Sequence, residues 1–280
     1  MIESCRRCVQ LLSAVFAVGL SWCGTLPAAR ADERLQPLVH AHAHNDYEHE
    51  RPLLDALAHG FCSIEADIHL HEGAILVGHD PEDLRTDRTL EGLYLKPLAE
   101  RVKQNGGRVY AGGPTVTLLV DIKTDGAATY RALRPLLAKY SDMLTHFALG
   151  IVSERAVTVV ISGNRPKDLI SSESERLVGI DGRIGDLRSD GDLPSDLVPL
   201  ISDNWMLQFT WRGEGEMPEK ERAHLARVVR TAHDQGRRVR FWATPENEAV
   251  WQVLLEAGVD LIGTDDLPRL ARFLESRTGR

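Results

Sequence analysis

Residues 52–69 read Pro-Leu-Leu-Asp-Ala-Leu-Ala-His-Gly-Phe-Cys-Ser-Ile-Glu-Ala-Asp-Ile-His, and this stretch decides the fold. Its first half, Pro52–His59, has the apolar spacing of an amphipathic helix, and Gly60 stands where such a helix ends. Its second half, Phe61–His69, is a short apolar run of the kind that forms a buried strand. A helix followed directly by a buried strand is the repeating unit of a parallel α/β sheet.

The same alternation continues along the rest of the chain. The predicted strands are Pro37–His44, Phe61–His69, Val116–Lys123, Ala156–Ser162, Leu177–Asp181, Val198–Asp203, Arg238–Ala243 and Asp260–Thr264, with Leu207–Trp211 as a further strand or a loop edge. The predicted helices are Pro52–His59, Leu93–Gln104, Thr129–Tyr140, Glu219–Gln235 and Asn247–Ala257. About eight strand–helix units in about 250 residues favour a single-domain (β/α)₈ TIM barrel over an open doubly wound sheet. No glycine-rich nucleotide-binding motif follows the early strands, which weakens the open-sheet alternative.

Length and composition already exclude several classes of protein. The chain has 280 residues, 43% of them hydrophobic and 26% charged, so it is neither disordered, collagen-like nor a small disulfide scaffold. The formal net charge of −8 argues against a nucleic-acid partner and against direct binding to an anionic membrane surface.

The first 31 residues have the pattern of a secretory signal peptide. Arg6 and Arg7 precede an apolar run, Cys8–Leu26, and Ala29-Arg30-Ala31 forms a small-residue cleavage site. We expect cleavage after Ala31, export to the periplasm or the extracellular space, and a barrel formed by residues 32–280 with no transmembrane segment. An uncleaved membrane anchor is the alternative. Once the leader is removed, Cys62 is the one cysteine left, so no internal disulfide is expected.

Chemically active side chains collect at the predicted strand ends. Eight of the 11 histidines fall between His40 and His79. Glu65 and Asp67 are two residues apart on one strand, so both side chains leave the same face, which in a barrel is the interior. Two like charges there are costly unless a divalent cation neutralises them. Asp121 and Lys123 repeat the spacing on another strand, at the rim where barrel active sites lie.

Each of these residue types also has a structural explanation. Asp46 fits a turn, Asp80 fits a helix cap, and Lys123 fits an ion pair with Asp121. Surface or packing roles suit four of the histidines: His40, His49, His59 and His71. Charges at three strand ends with two histidines nearby nevertheless favour a functional site.

These residues resemble the phosphodiesterase barrel superfamily of glycerophosphodiester phosphodiesterases, phosphatidylinositol-specific phospholipases C and sphingomyelinase D enzymes. The pattern is most similar to the branch that contains altered inheritance of mitochondria protein six. The matching stretches are His42-Ala-His44-Asn45-Asp46-Tyr47, residues 52–60, Ser63-Ile-Glu65-Ala-Asp67, Gly78-His79, Leu119-Val-Asp121-Ile-Lys123-Thr124, Phe241-Trp242, residues 251–260 and Ile262-Gly-Thr-Asp265. The resemblance spans roughly His40 to Leu267.

The resemblance implies a role for each candidate residue. His44 and His79 match the two catalytic histidines, one a general base and the other a general acid, and Lys123 matches a lysine near the phosphate. The oxygen ligands of one divalent cation, Mg²⁺ or Ca²⁺, match Asn45, Glu65, Asp67 and Asp121. We expect substrate contacts from Trp242, Asn204 and Trp205. The implied activity is hydrolysis or cyclisation of a glycerophosphodiester or of a phospholipid headgroup.

The chain also departs from the named enzymes in three ways. Asn45 follows His44, where glycerophosphodiester phosphodiesterases usually carry arginine. The interval between His79 and Asp121 is too short for the large insertion of that branch. The disulfide-stapled loop of the sphingomyelinases D cannot form, because Cys62 is alone. These departures leave the substrate open.

Two other functions remain in competition. A metal-dependent amidohydrolase would use His42 and His44 on the first strand and Asp265 on the last, with Zn²⁺ in place of Mg²⁺. It would also need histidines on the middle strands, but only His146, His224 and His233 remain in the rest of the chain. A barrel that binds a phospholipid headgroup or sugar phosphate without turnover is the second alternative.

Overall fold

Eight parallel strands close into a barrel in the computed structural model, which describes residues 35–187 and 193–278. They are β1 (Leu38–Ala43), β2 (Phe61–His71), β3 (Val116–Ile122), β4 (Val157–Gly163), β5 (Val178–Gly182), β6 (Leu200–Asn204), β7 (Arg238–Trp242) and β8 (Leu261–Thr264). Each strand pairs with the next one along the chain, and β8 pairs with β1. The predicted (β/α)₈ barrel is confirmed, and all eight predicted strands are present with ends shifted by one or two residues.

Helices surround the barrel. They are α1 (Leu54–Ala58), α2 (Lys96–Gln104, preceded by a π-helical turn over Glu91–Leu95), α3 (Gly126–Ala138), α4 (Lys167–Ser171), α5 (Trp205–Gln208), α6 (Glu219–Asp234), α7 (Glu248–Glu256) and α8 (Leu267–Thr278). The five predicted helices are present. The apolar piece Leu207–Trp211 is not a strand: Leu207 lies in α5, which turns back directly after β6 so that Phe209 can pack on the Trp205 ring at 4.1 Å. The described residues belong to one compact unit.

Short strands outside the barrel were not predicted. Ala74–Val77 pairs antiparallel with the end of β2 and delivers the chain to Gly78 and His79 at the rim. A small separate sheet joins His146–Ala148 to Ile151–Ser153 and Glu175–Arg176.

The barrel interior is layered along its axis. Leu119, Val160, Leu200 and Leu261 form a buried cluster of their own, separate from the main core between strands and helices. We call this cluster the apolar layer. Every second residue of a strand faces the same side of the sheet. Asp121 therefore lies above Leu119, towards the carboxyl ends of the strands, and Thr117 lies below it. The interior above the layer is rich in charged side chains.

Two sequence predictions fall outside what the structure describes. The leader, residues 1–31, and its cleavage site lie there, so the boundary at residue 32 stays a prediction. Within residues 35–187 and 193–278, no helix combines the length and the hydropathy needed to cross a membrane.

Candidate active site

A cavity of about 460 Å³ opens at the carboxyl ends of the strands. Eight of the predicted site residues line it: His44, Asn45, Glu65, Asp67, His79, Asp121, Lys123 and Trp242. Arg183 and Arg240 also contribute to the wall. The strand ends therefore bring together residues that are up to about 200 positions apart in the sequence, as barrel active sites do.

Three carboxylates meet at the base of this cavity. Asp67 on β2 is the register partner of Asp121 on β3, and Glu65 lies one layer below Asp67 on the same strand face. One oxygen of each carboxylate lies within 4.8 Å of the other two. This spacing lets the three groups bind a single cation.

Glu65 is held as an anion by two buried partners. Its Oε2 accepts from Arg240 Nη2 at 2.7 Å and lies 3.0 Å from His42 Nε2. Burial opposes ionisation, but the Arg240 charge and the His42 hydrogen bond outweigh it and hold the pKa of Glu65 well below its usual range. The second ring nitrogen of His42 bonds to Ser63, so this histidine is a buried support and not a group that faces the cavity.

Asp67 is a carboxylate whose burial is only partly compensated. Burial and the neighbouring charge of Glu65 raise the pKa of Asp67 to about 6, although Lys123 opposes the shift. Its Oδ2 accepts from the Tyr47 hydroxyl at 2.7 Å and pairs with Lys123 Nζ at 2.9 Å. Its Oδ1 is buried without a hydrogen-bond partner among the described residues. An orphaned carboxylate oxygen in an oxygen-rich cluster fits a hard divalent cation.

Asn45 lies beside these carboxylates in a left-handed backbone conformation, with φ of 47°. The Tyr47 hydroxyl donates to Asn45 Oδ1 at 2.8 Å and so links this amide to Asp67. Lys123 Nζ completes the group, 3.1 Å from Asp121 Oδ1. The predicted ligands and the predicted lysine are therefore adjacent.

The two candidate histidines stand on the cavity wall, each paired with an aspartate. His44 Nδ1 lies 2.8 Å from Asp265 Oδ1, and His79 Nδ1 lies 3.0 Å from Asp80 Oδ2. Burial lowers the pKa of His44, but the Asp265 hydrogen bond and the Glu65 charge raise it above the ordinary value overall. The hydrogen bond that His79 donates to Asp80 raises the pKa of His79.

His79 owes its position to a residue that we did not single out. Nε2 of the buried His69 lies 3.1 Å from the Gly78 carbonyl oxygen and 3.2 Å from that of His79. This contact fixes the backbone that carries His79 to the end of β2.

Sequence reasoning missed the two arginines of the site. Arg240 lies two residues before Trp242 on β7, so the alternation Arg238-Val-Arg240-Phe-Trp242 was the available signal for basic side chains inside the barrel. Arg183 follows β5 and is held by Asp181 at 2.8 Å. Ser162 and Ser202 bind the same buried Asp181.

Two predicted substrate contacts are corrected by the structure. Trp205 is fully buried against Phe209 and Phe241 and donates to the Trp211 carbonyl oxygen, so it belongs to the core. Asn204 caps α5 by accepting from the Met206 N–H at 2.8 Å and does not line the cavity. Trp242, 37% exposed, does line it.

Some of the residues that also had a structural explanation have that structural role, and others do more. Asp80 caps the turn Pro81–Asp83, as predicted, while also binding His79. Asp46 is more than a turn residue: it is fully buried and accepts from the Leu53 N–H and the Tyr94 hydroxyl. His40, His49, His59 and His71 do not line the cavity.

Comparison with known proteins places the chain in a family. Residues 32–178 match the model of the AIM6-like phosphodiesterase domain, and residues 238–268 match the glycerophosphoryl diester phosphodiesterase family. The altered inheritance of mitochondria protein 6 of Eremothecium gossypii is 31% identical over 288 aligned positions, which cover 89% of this chain and 73% of the relative. A homologue from Arthroderma benhamiae is 27% identical and covers 82% of each chain.

The chain belongs to the AIM6-like phosphodiesterase family. It is therefore a phosphoric diester hydrolase. The two matched segments of this AIM6-like phosphodiesterase contain the site apart from Arg183 and its partner Asp181. The first carries the residues from His44 to Lys123, and the second carries Arg240, Trp242 and Asp265. The fold agrees, since a glycerophosphodiester phosphodiesterase from Parabacteroides distasonis superposes with a TM-score of 0.52 at 14% identity, over 87% of this chain and 99% of that one.

Proposed function

We propose that this phosphodiesterase hydrolyses, or cyclises, a glycerophosphodiester or a phospholipid headgroup by histidine acid–base catalysis at a divalent cation. The observation that carries the proposal is the convergence of Glu65, Asp67 and Asp121 below two histidines, each of which is hydrogen-bonded to an aspartate. The amidohydrolase alternative loses support, because the buried His42 binds Glu65 and not the cavity.

The cation we propose is Mg²⁺ or Ca²⁺, held by Glu65, Asp67, Asp121 and Asn45. These ligands offer oxygen atoms alone, which hard cations prefer and which distinguish the site from a zinc centre. When bound, the cation would supply positive charge to the nonbridging oxygens of the phosphodiester.

Charge balance supports a need for the cation in substrate binding. At the base of the cavity, below the two histidine–aspartate pairs, the described carboxylates of Glu65, Asp67, Asp121 and the underlying Asp181 exceed the three cations Lys123, Arg183 and Arg240 by one charge. A divalent cation turns this into an excess of one positive charge, which matches the single negative charge of a phosphodiester. Without it the site would repel its substrate.

The histidines are arranged for proton transfer. An ionised carboxylate only accepts hydrogen bonds, so Asp265 and Asp80 fix the hydrogen on Nδ1 of His44 and His79. Nε2 of each ring is then free to take or give a proton at the cavity. One histidine deprotonates the attacking oxygen, from water or from a neighbouring substrate hydroxyl, and the other protonates the leaving oxygen. Lys123 neutralises charge on the phosphate.

Space for both phosphate substituents is available. A second depression of about 360 Å³ adjoins the cavity and shares His44, Arg240 and Trp242 with it. We place one substituent there, against the Trp242 ring, and the other on the His79 side. Export of the enzyme remains part of the proposal and rests on the leader pattern of residues 1–31.

Phosphorus NMR of the purified protein tests the activity. The protein is mixed with glycerophosphodiesters and lysophospholipids in the presence of Mg²⁺, Ca²⁺ or a chelator. We expect a new phosphorus resonance that requires the metal, and its chemical shift separates a cyclic diester from a monoester. If no resonance appears with any metal, the proposal is wrong, and zinc content and ligand binding are measured next.

Substitutions then test the mechanism. His44→Ala and His79→Ala should each abolish turnover while cation binding, followed by calorimetry, survives. Asp67→Ala should weaken cation binding instead. Retained activity in both histidine variants would overturn acid–base catalysis by these residues.

A further inference from the structure

A separate cavity, of about 630 Å³, opens at the end of the barrel opposite the candidate active site, where the strands begin. Its floor includes Val160 and Leu200 of the apolar layer, so that layer stands between it and the candidate active site. Its wall is apolar on one side, with Val39, Phe147 and Val152. A cavity of this size is typical of sites for small organic ligands.

One arginine of this cavity crosses the inside of the barrel. Arg238 on β7 donates from Nη1 to Thr117 Oγ1 on β3 at 3.0 Å, and these two strands are not neighbours in the sheet. The bond therefore spans the barrel interior. Thr117, Thr158 and Cys62 place further polar groups around the guanidinium.

Comparison with Arg240, two residues further along the same strand face, shows what Arg238 lacks. Arg240 also crosses the barrel and meets the Glu65 carboxylate at 2.7 Å. Arg238 meets only a hydroxyl, and no carboxylate of the described residues comes within 4.0 Å of its guanidinium. A half-buried guanidinium has five N–H donors, and Thr117 uses one of them, so donors of Arg238 remain for a ligand in the cavity.

The carboxylates on the cavity wall already have other partners. Asp196 binds Arg176 at 2.7 Å, Asp260 binds His233 at 2.9 Å, and Glu154 accepts from Thr115 at 2.6 Å. Arg238 is thus the cation of this wall whose charge no described side chain pairs with. A ligand with one negative charge would match it, whereas a dianion would add a second charge near these three acids.

We propose that this cavity binds a small organic monocarboxylate, with its carboxylate on Arg238 and the threonine hydroxyls and its apolar body against Phe147 and Val152. A carboxylate fits the planar fork of the guanidinium with two parallel hydrogen bonds. The site is independent of the phosphodiesterase site and of the function proposed for it.

Calorimetry with octanoate as the probe tests the proposal on the full protein. We expect one molecule of octanoate to bind with a dissociation constant of about 1 mM or tighter. Octanol, which has the same chain without the charge, should bind at least about ten-fold more weakly. Inorganic phosphate should not compete. Absence of saturable octanoate binding, equal binding of octanol, or displacement by phosphate would each overturn the proposal.

Variants locate the bound octanoate. Arg238→Met should weaken binding at least about ten-fold, and Arg238→Lys should restore part of it. Lys123→Met at the other end of the barrel should bind octanoate as the wild type does. The reverse pattern would assign octanoate to the phosphodiesterase site and contradict the proposal.

A variant at another position of the cavity wall keeps the test valid if Arg238→Met does not fold. Val152→Glu changes a side chain that is 48% exposed on the cavity wall, so the fold should tolerate it. Its carboxylate should repel octanoate and weaken binding several-fold. The matched control is Leu149→Glu, which changes a residue of the same hairpin that is 84% exposed and does not line the cavity. Equal octanoate affinity in Val152→Glu and Leu149→Glu would argue against this location.

Discussion

At the scale of single residues, the two candidate histidines differ in how firmly they are held. His44 is partly covered, with 35% of its side chain exposed, whereas His79 is 52% exposed on a turn at the rim. Hydrogen bonds to aspartates raise the pKa of both rings, so each stays protonated to a higher pH than a free histidine. An active site that needs one protonated ring gains from this at neutral pH.

Removing the Asp80 carboxylate should lower the pKa of His79. Asp80→Asn deletes the charge and the charge-assisted hydrogen bond that favour the imidazolium, so His79 should lose its proton at a lower pH than in the wild type. Proton NMR of the His79 ring across pH 5 to 9 measures the shift. The exposed Glu82→Gln nearby serves as control and should leave the titration of His79 in place. An unchanged pKa in Asp80→Asn would show that the hydrogen bond does not persist in solution.

Replacing Arg240 should be among the most damaging changes in the interior. Arg240→Met leaves Glu65 buried with His42, on the neighbouring strand, as its remaining side-chain partner among the described residues. Breaking a buried ion pair on one side costs about 3–5 kcal/mol of unfolding free energy. Urea denaturation measures the loss, and Arg230→Met on the exposed face of α6 should cost less than about 0.5 kcal/mol. Similar stabilities for the two variants would mean that water reaches Glu65.

At the scale of elements, the parallel register sets the metal site. Asp67, Asp121 and Ser162 are successive register partners on β2, β3 and β4, so one row of the sheet carries the polar groups. Gly163 follows Ser162 on β4 and has a positive φ of 65°. A Cβ added there would lie 2.2 Å from Asp121 Oδ1, so the bare backbone of Gly163 makes room for that carboxylate.

Gly163→Ala should therefore impair the cation site. The methyl group forces Asp121 to move, and the left-handed backbone is strained for alanine. We expect cation affinity to fall at least about ten-fold, measured by calorimetry with Mg²⁺ and Ca²⁺. Gly185→Ala is the matched control, because a Cβ there meets no atom within 4 Å. A Gly163→Ala protein with wild-type cation affinity would argue against Asp121 as a ligand.

Strand positions could be predicted from the sequence because buried parallel strands are continuous apolar runs with charged residues at their ends. The position of Asp67 and Asp121 near the carboxyl ends of their strands followed from the same logic, whereas their register pairing is seen in the structure. The helix α5 could not be predicted in this way. Its four residues are too few to show helical periodicity, and the packing of Trp205 on Phe209 and Phe241 settles its conformation.

The contacts that cross the barrel also could not be predicted from the sequence. Arg240 and Glu65 are 175 positions apart, and their pairing depends on the closure of the sheet. Trp205 was assigned to the substrate because aromatic residues suit binding pockets, yet its position after β6 points it away from the axis, into the core. A shift of one residue along the strand decides whether an aromatic side chain points inwards or outwards.

At the scale of the whole molecule, Cys62 reports on the integrity of the barrel. It lies near the start of β2, 4% exposed, and burial raises the pKa of its thiol to about 12. At pH 8 the reactive thiolate is then a fraction of about 10⁻⁴, so alkylation of the folded protein through the cavity where the strands begin is slow.

Iodoacetamide should therefore modify Cys62 slowly in the native protein and completely in denaturant. Mass spectrometry of the peptide that contains Cys62 measures the modified fraction over time and separates it from any other cysteine. The native rate should rise with urea in parallel with global unfolding. Rapid modification without denaturant would contradict this expectation and show that the thiol reacts through the cavity where the strands begin.

The apolar layer has a further consequence for proton transfer through the barrel. Relay of a proton over a distance needs an unbroken chain of hydroxyls, carboxylates, imidazoles or waters, and Leu119, Val160, Leu200 and Leu261 offer none of these. These four side chains do not carry protons along the barrel axis, although Glu65 and Arg240 are the register partners of Leu119 and Leu261. The most direct exchange with bulk solvent for the protons of His44 and His79 is through the mouth that admits the substrate. A bulky product held in that mouth would delay reprotonation as well as its own departure.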